Sequence, residues 1–363
     1  MLPRPLAVLG AIVLTAGTAV AIRLLPAGAA PPPRLPVARP AATPTPEEWR
    51  PPPAAFVTFV DTAREPGFDL PAEFRRTGVR RYALGHLVAG GDGCAPKWTG
   101  PPAGNLAAGE PAPSGTGLGG NLVADESGPL TPDESGSLTL DGIGPGRNPV
   151  ARRIGRLRAM GGDAAPVLGG PGGRELAATC TRPGVLTAAY RQVVGAFGAA
   201  AVDFEVRDSA DRAAVLRRAR AIRAVQREQG LRVGFTLPLR RNGLAPADVA
   251  MLRVTHRAGA EVGTVNLLAP IEPRAQRHAR LGRVALAVRE AAGQIARAQD
   301  LGDPGQVWGR VALTPVLADK ADLSELDARK LSEYVTRHGL AWLSLRGVTP
   351  KPDVSRILWH TPP

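Results

Sequence analysis

Residues 201–208 read Ala201-Val202-Asp203-Phe204-Glu205-Val206-Arg207-Asp208, and they alternate. Val202, Phe204 and Val206 are apolar; Asp203, Glu205 and Arg207 are charged. Period two is the signature of a strand, with one series on each face. Such a strand either wets its charged face at a sheet edge or lies centrally with that face in a site. Helix-like segments flank it at residues 186–197 and 210–229, and strands that alternate with helices build parallel sheets. In a (β/α)8 barrel the charged series would point inward near the C-terminal mouth, where active sites lie. The edge-strand reading stays open from the spacing alone.

The same alternation runs outward in both directions. Strands are predicted over 55–60, 81–88, 164–168, 201–206, 232–237, 261–268, 311–317 and 340–345. Helices are predicted between them, over 151–160, 186–197, 210–229, 246–256, 274–300 and 321–337, with a short one opening at Asp69-Leu70-Pro71. Asp69 caps that helix and Pro71 sits in its first turn. Gly230 and Gly339 stand where helix-ending glycines stand. Eight strands with intervening helices predict an α/β fold, a TIM barrel over residues 54–360. Residues 101–148 are dense in Gly, Ser and Pro and read as an insertion over the mouth, either a lid or disordered. Gly169-Gly170-Pro171-Gly172-Gly173 lacks the Lys-Ser/Thr of a P-loop and the GxGxxG spacing, which argues against a phosphate cradle.

At residues 200–207 the chain resembles the strand-four signature of glycoside hydrolase family 18, the chitinase family, D-x-x-D-x-D-x-E. Ala200 stands at the first Asp, Asp203 matches the second, Glu205 stands at the third and Arg207 at the catalytic Glu. Thr236-Leu237-Pro238 with Asn242-Gly243-Leu244 resembles the family's "TLP…GL", and Gly169-Gly170 resembles its S-x-G-G stretch without the serine. Val265 and Asn266 match a V-N-x-M-x-M-D-Y strand in which Pro270, Ile271 and Glu272 replace Met, Asp and Tyr. Ser344 matches the last strand, and Arg346 stands where the family places a Trp under the sugar. The resemblance covers about residues 56–346 and implies a (β/α)8 barrel.

It also implies a chemistry that this chain is poorly equipped to perform. The family cleaves chitin-type glycosides through the substrate's own N-acetyl oxygen. That needs a Glu as proton donor, an Asp that holds the acetamide, a Tyr and an aromatic floor. Here Asp203 and Glu205 remain at the catalytic motif, but guanidinium at 207 does not titrate near neutral pH. Arg207 is expected to pair with Asp203 and Glu205, about 6.6 Å apart per two-residue step. Arg207, Asn266, Glu272 and Arg346 are the candidate ligand-binding residues. The reading is an exported, chitinase-like binding module without hydrolytic activity. The alternative is an active, substrate-assisted hydrolase with Glu205 or Asp208 as acid. The expected partner is chitin-type or cell-wall polysaccharide, with no cofactor.

Composition bounds the remaining classes. The chain has 363 residues, 44% hydrophobic and 4% aromatic, and a net charge of +13 carried almost wholly by Arg. Such a charge draws anionic polymers or lipid, and it is also what an Arg-, Ala-, Gly- and Pro-rich composition produces. No basic run is interleaved with aromatics, which argues against nucleic acid. Cys94 and Cys180 come with no CxxC or His cluster, so no metal site is expected. In an exported protein they would form one disulfide, and two buried free thiols are the alternative. Residues 6–22 are apolar and small, roughly 26 Å if helical. Residues 1–25 read as a signal peptide or membrane anchor, with A-x-A sites at Ala19-Val20-Ala21 and Ala27-Gly28-Ala29. Residues 26–53 read as a Pro/Ala-rich spacer. The expected location is secreted or membrane-anchored and extracellular.

Overall fold

The computed structural model describes residues 55–65, 67–99, 149–273 and 280–360. The predicted export segment, the spacer, the insertion at 101–148 and the start of the helix predicted from 274 lie outside the described residues. The strands are β1 (Ala55–Asp61), β2 (Arg81–Ala89), β3 (Pro96–Trp98), β4 (Asp163–Gly169), β5 (Ala201–Glu205), β6 (Arg232–Pro238), β7 (Thr264–Pro270), β8 (Val311–Leu317) and β9 (Trp342–Gly347). All but β3 pair in parallel in the order β1-β9-β8-β7-β6-β5-β4-β2, and β1 pairs with β2 to close the ring. This is an eight-stranded (β/α)8 barrel. β3 is a short antiparallel addition to β2.

The helices that follow the strands are α1 (Leu70–Thr77), α2 (Pro149–Ala159), α3 (Leu176–Thr179), α4 (Pro183–Phe197), α5 (Arg212–Glu228), α6 (Pro246–Arg257), α7 (Arg280–Ala298), α8 (Glu325–His338) and α9 (Pro352–Trp359). A 3-10 helix spans Pro304–Arg310. Local chemistry starts and stops them. Asp69 caps α1, accepting from the Ala72 N–H, and Gly78 ends it in the left-handed region. Asp211 caps α5 by accepting from the Ala213 and Ala214 N–H groups. Ser324 and Asp327 form a reciprocal capping box on α8.

β5 resolves the alternation that opened the reading. Phe204 stacks on Phe235 of β6 and meets Tyr190 of α4 edge-on, so Val202 and Phe204 belong to the layer between barrel and helices. A fully buried Phe contributes about 1.5–3 kcal/mol relative to exposure. Asp203 and Glu205 therefore face the barrel interior. β5 is central, paired with β4 and β6, which disposes of the edge-strand alternative.

Several boundaries differ from expectation, those of β5 and β7 nearest the candidate site. β5 ends at Glu205 rather than Val206, because the chain then turns and the Asp208 carbonyl accepts from the Asp211 N–H at 2.8 Å ahead of α5. β7 begins at Thr264, not Glu261, and runs through Ala269 to Pro270. β3, α3, α9 and the 3-10 helix have no counterpart among the predicted elements.

Cys94 and Cys180 are joined as a disulfide, with S–S 2.03 Å and Cα–Cα 4.7 Å. The bond ties the loop between β2 and β3 to the end of α3. The Thr179 hydroxyl donates to the Gly93 carbonyl beside it, at 2.6 Å.

Candidate functional site

Inside the barrel the charged face of β5 meets side chains of β2, β6 and β9, and through them side chains of β1, β7 and β8. At its C-terminal end, Glu205 is 5% exposed. Its Oε2 lies 2.9 Å from His86 Nε2 of β2 and accepts from the Arg346 guanidinium of β9 at 3.1 Å. An ionised carboxylate only accepts, so His86 carries a proton on Nε2 in this arrangement. The Arg346 guanidinium also lies over the Phe59 ring of β1, 3.0 Å from its centroid, and its second nitrogen is 3.5 Å from His86 Nε2. Cation–π attraction and the ion pair act on the same guanidinium. Phe59 and His86 are themselves in ring contact, with centroids 5.1 Å apart.

Two glycine positions make this packing possible. Gly170 has φ +90, and a Cβ there would lie 2.2 Å from the His86 ring. Gly85 faces Phe59, where a Cβ would stand 2.7 Å from the ring edge. The Gly170 N–H donates to the Glu205 carbonyl, which holds the end of β4 against the site.

Deeper in the barrel a second set of polar groups forms a directed chain. The Thr314 hydroxyl donates to Asn266 Oδ1 at 2.8 Å. Asn266 Nδ2 donates to Thr236 Oγ1 at 3.0 Å. Thr236 in turn donates to Asp203 Oδ2 at 2.5 Å. Gly234 lies opposite Asp203 in the β5–β6 register and leaves the space its carboxyl occupies.

The two carboxyl groups are driven in opposite directions. Burial pushes Asp203 up to about 6, an effect the Thr236 hydrogen bond offsets only in part and the Glu205 charge reinforces. Burial also acts to raise Glu205. The hydrogen bond from His86 and the charges of Arg346, His86 and Arg207 outweigh it and hold Glu205 below the ordinary carboxylate value. Arg346 is lowered by its own burial, against the pull of Glu205 and Asp203.

The predicted site residues divide. Asp203, Glu205, Asn266 and Arg346 come together. Arg207 does not join Asp203 and Glu205 as expected. It lies past the end of β5, is exposed, and makes no hydrogen bond or ion pair among the described residues. The strand stops before residue 207, so period-two alternation no longer aims that side chain inward. Glu272 sits beyond β7 and pairs with Arg283 of α7 instead of the central cluster. Asp208 is clamped by Arg218, whose guanidinium donates to both carboxylate oxygens at 2.6 and 2.7 Å and also holds Glu175 at 2.8 Å.

His86, Phe59, Thr236 and Thr314 are not among the site residues expected from the sequence, and Thr236 enters there only through the Thr236-Leu237-Pro238 match. By alternation His86 shares a parity with Tyr82 and Leu84, which pack toward the helices. A register shift between Gly85 and Leu87 re-aims it into the barrel. The only local hint is a lone His after a Gly in an apolar strand. Among the described residues no group of three His, Cys, Asp or Glu side chains is placed to hold a metal ion.

Comparison with known proteins agrees with this architecture. No family model matches the chain. It is 30% identical over 123 residues to a probable bifunctional chitinase/lysozyme of Escherichia coli K12, a match that takes in 32% of this chain and 14% of that protein. Among solved structures, the active domain 2 of a thermostable chitinase from Pyrococcus furiosus superposes with a TM-score of 0.63 at 17% identity. That match covers 85% of this chain and 95% of the domain. A glycoside hydrolase family 18 chitinase from Pseudoalteromonas aurantia superposes with a TM-score of 0.50 at 9% identity, covering 84% of this chain and 97% of that one. The closed barrel of this chain, with its polar β5 face turned inward, has the fold of the family 18 chitinases.

Proposed function

We propose that this chain is a non-hydrolytic, chitinase-like barrel that binds chitin-type or cell-wall polysaccharide at its C-terminal mouth. One observation carries the reading: the Glu205 carboxylate is enclosed by His86 and Arg346, while position 207 holds an exposed arginine. A general acid must hold a proton near the working pH and stand within reach of the leaving oxygen. Glu205 is kept ionised, and its Oε2 accepts from donors of the protein itself. A guanidinium, as at Arg207, is too weak an acid to serve as a general acid near neutral pH. Asp208, the other candidate acid, is committed to Arg218. Asp203 is the one carboxyl here driven toward neutrality, but it lies under Glu205 and bonds inward to Thr236. These features weigh against the hydrolase alternative. They leave the mouth with guanidinium groups at Arg207 and Arg346 as donors for sugar oxygens, with Asn266 and Asp203 in the layer below.

The ligand class rests on the likeness to chitinases, one of them determined with chito-oligosaccharides, and to a protein named chitinase/lysozyme. An exported location is supported by the Cys94–Cys180 disulfide, a bond that persists in oxidising compartments, together with the apolar run at residues 6–22.

The test is turnover of a chromogenic chitobioside, with chitin-oligomer binding measured in parallel. The expected result is no turnover by wild type or Arg207→Glu, and oligomer binding that weakens in Arg207→Ala. Robust wild-type turnover that disappears in Glu205→Gln would make Glu205 the acid and overturn the proposal.

A further inference from the structure

The excess of arginine has a structural counterpart far from the residues of the barrel interior. On α5, Arg220, Arg223 and Arg227 fall at i, i+3 and i+7, which puts them on one helix face over about 10 Å. Arg257 joins them from the last turn of α6. The four guanidinium side chains line a single open groove of about 410 Å³, together with Leu216 and Ala258, and no carboxylate lines it. Some arginines elsewhere on the helical surface are matched with acids: Arg76 with Glu73, Arg191 with Glu228, Arg297 with Glu290, Arg329 with Glu325 and Arg356 with Asp353.

In the groove that matching is absent. Arg220, Arg227 and Arg257 make no ion pair among the described residues. Glu228 is the sequence neighbour of Arg227, and Arg227 contributes to lowering its pKa. Yet its two oxygens accept from Arg191 of α4, both at 2.7 Å. Glu261, the remaining acid nearby, engages Gln226 through its backbone N–H and carbonyl and does not line the groove. Arg223 is positioned rather than free. It donates to the Ala258 carbonyl at 3.1 Å, and Gly259, at φ +80, leaves room for its guanidinium where a Cβ would stand 3.0 Å from the Arg223 Cζ. Like charges at helical spacing repel. A concave site lined by converging guanidinium groups concentrates positive potential, and guanidinium binds phosphate oxygens in a bidentate fashion.

We propose that the α5–α6 groove is a binding site for an anion that carries two or more phosphate groups. It is independent of the polysaccharide reading, since none of its residues reaches the barrel interior, and it accounts for part of the +13 charge that the mouth does not use.

The experiment is calorimetric titration of the full-length protein with inorganic tripolyphosphate at low and moderate salt. Three proteins are compared: wild type, Arg220→Glu/Arg227→Glu, and a charge-matched control, Arg75→Glu/Arg289→Glu, at exposed positions elsewhere. Wild type should bind with an affinity that falls as salt rises. The groove variant should lose at least tenfold in affinity, and the control less than threefold. Circular dichroism and the melting midpoint report that both variants are folded. Arg257→Ala provides a milder variant and should lose threefold or more. No binding by wild type, or equal losses in the groove and control variants, would overturn the proposal, the latter because net charge alone would then explain the affinity. A second arm uses vesicles of neutral lipid with and without a phosphorylated anionic headgroup. Groove-dependent vesicle binding assigns the phosphates to a lipid headgroup; tripolyphosphate binding without it assigns them to a soluble anion.

Discussion

Arg346→Met tests the central cluster most directly, because it removes the guanidinium and keeps an apolar stem over Phe59. The ion pair it breaks is 3.1 Å long, with side-chain exposures of 15% for Arg346 and 6% for Glu205. Removing one partner of a buried pair costs about 3–5 kcal/mol, since the other charge is left without compensation. Glu205 keeps its hydrogen bond to His86, and methionine retains much of the packing, so the loss should fall at the lower end, about 3 kcal/mol at pH 7. The sign of the pH dependence follows from Glu205. Its folded pKa lies below the ordinary value of 4.5, so in wild type its contribution is present above that value and is lost as pH falls through the folded one. Without Arg346 the charged form is less favoured, since the His86 hydrogen bond alone remains beside it. The deficit of the variant should therefore be largest near neutrality and shrink at pH 4 and below. Urea unfolding at pH 7 and pH 4 measures both. Adding Glu205→Gln should restore about 2 kcal/mol at pH 7, because the uncompensated charge is gone. A deficit under about 1 kcal/mol at pH 7, or one that does not shrink with acid, would refute the assignment of Arg346 as a partner that, with His86, keeps Glu205 ionised.

Asp203 predicts the opposite pH trend. Its folded pKa of about 6 exceeds the ordinary 3.8. Its own contribution to stability should fall as pH rises across that window, by on the order of 3 kcal/mol at about 1.36 kcal/mol per pKa unit. Asp203→Asn should flatten that slope in the same urea series. Gly170→Ala should destabilise by more than about 1 kcal/mol, because the position is left-handed and the new methyl meets the His86 ring; thermal melts compare it with Gly184→Ala, where nothing lies within contact of the added carbon. Replacing Cys94 and Cys180 together by Ser opens a cross-link 86 residues apart in sequence. That should cost about 4–5 kcal/mol in the chain-entropy view, read as the difference from wild type under non-reducing conditions.

How much of this was legible beforehand depends on how local each signal is. The barrel order is legible because strand alternation, caps and helix-ending glycines each act within a few residues, and α1 starts where the Asp69 signal stands. Asp203 and Glu205 were legible for the same reason: period two puts them on one face. Arg207 was misread as their partner, because alternation says nothing about where a strand ends. Glu272 was grouped with the cluster by alignment, and Arg283, its actual partner, belongs to a helix further along the chain.

Sequence alone establishes the eight-strand order and puts Asp203 and Glu205 on one face of β5, both from backbone periodicity, while it leaves open whether that face is a sheet edge or the barrel interior and whether Cys94 and Cys180 are bonded. Tertiary structure alone decided which cation neutralises Glu205, that His86 faces it, and that Asp203 is held near neutrality while Glu205 is not. Those outcomes depend on barrel closure, on the register shift in β2 and on burial. They involve contacts between residues 119 and 141 positions apart in the chain. Electrostatic interactions of that kind are set by distance and desolvation in the folded state, and neither quantity is encoded in a local window of sequence.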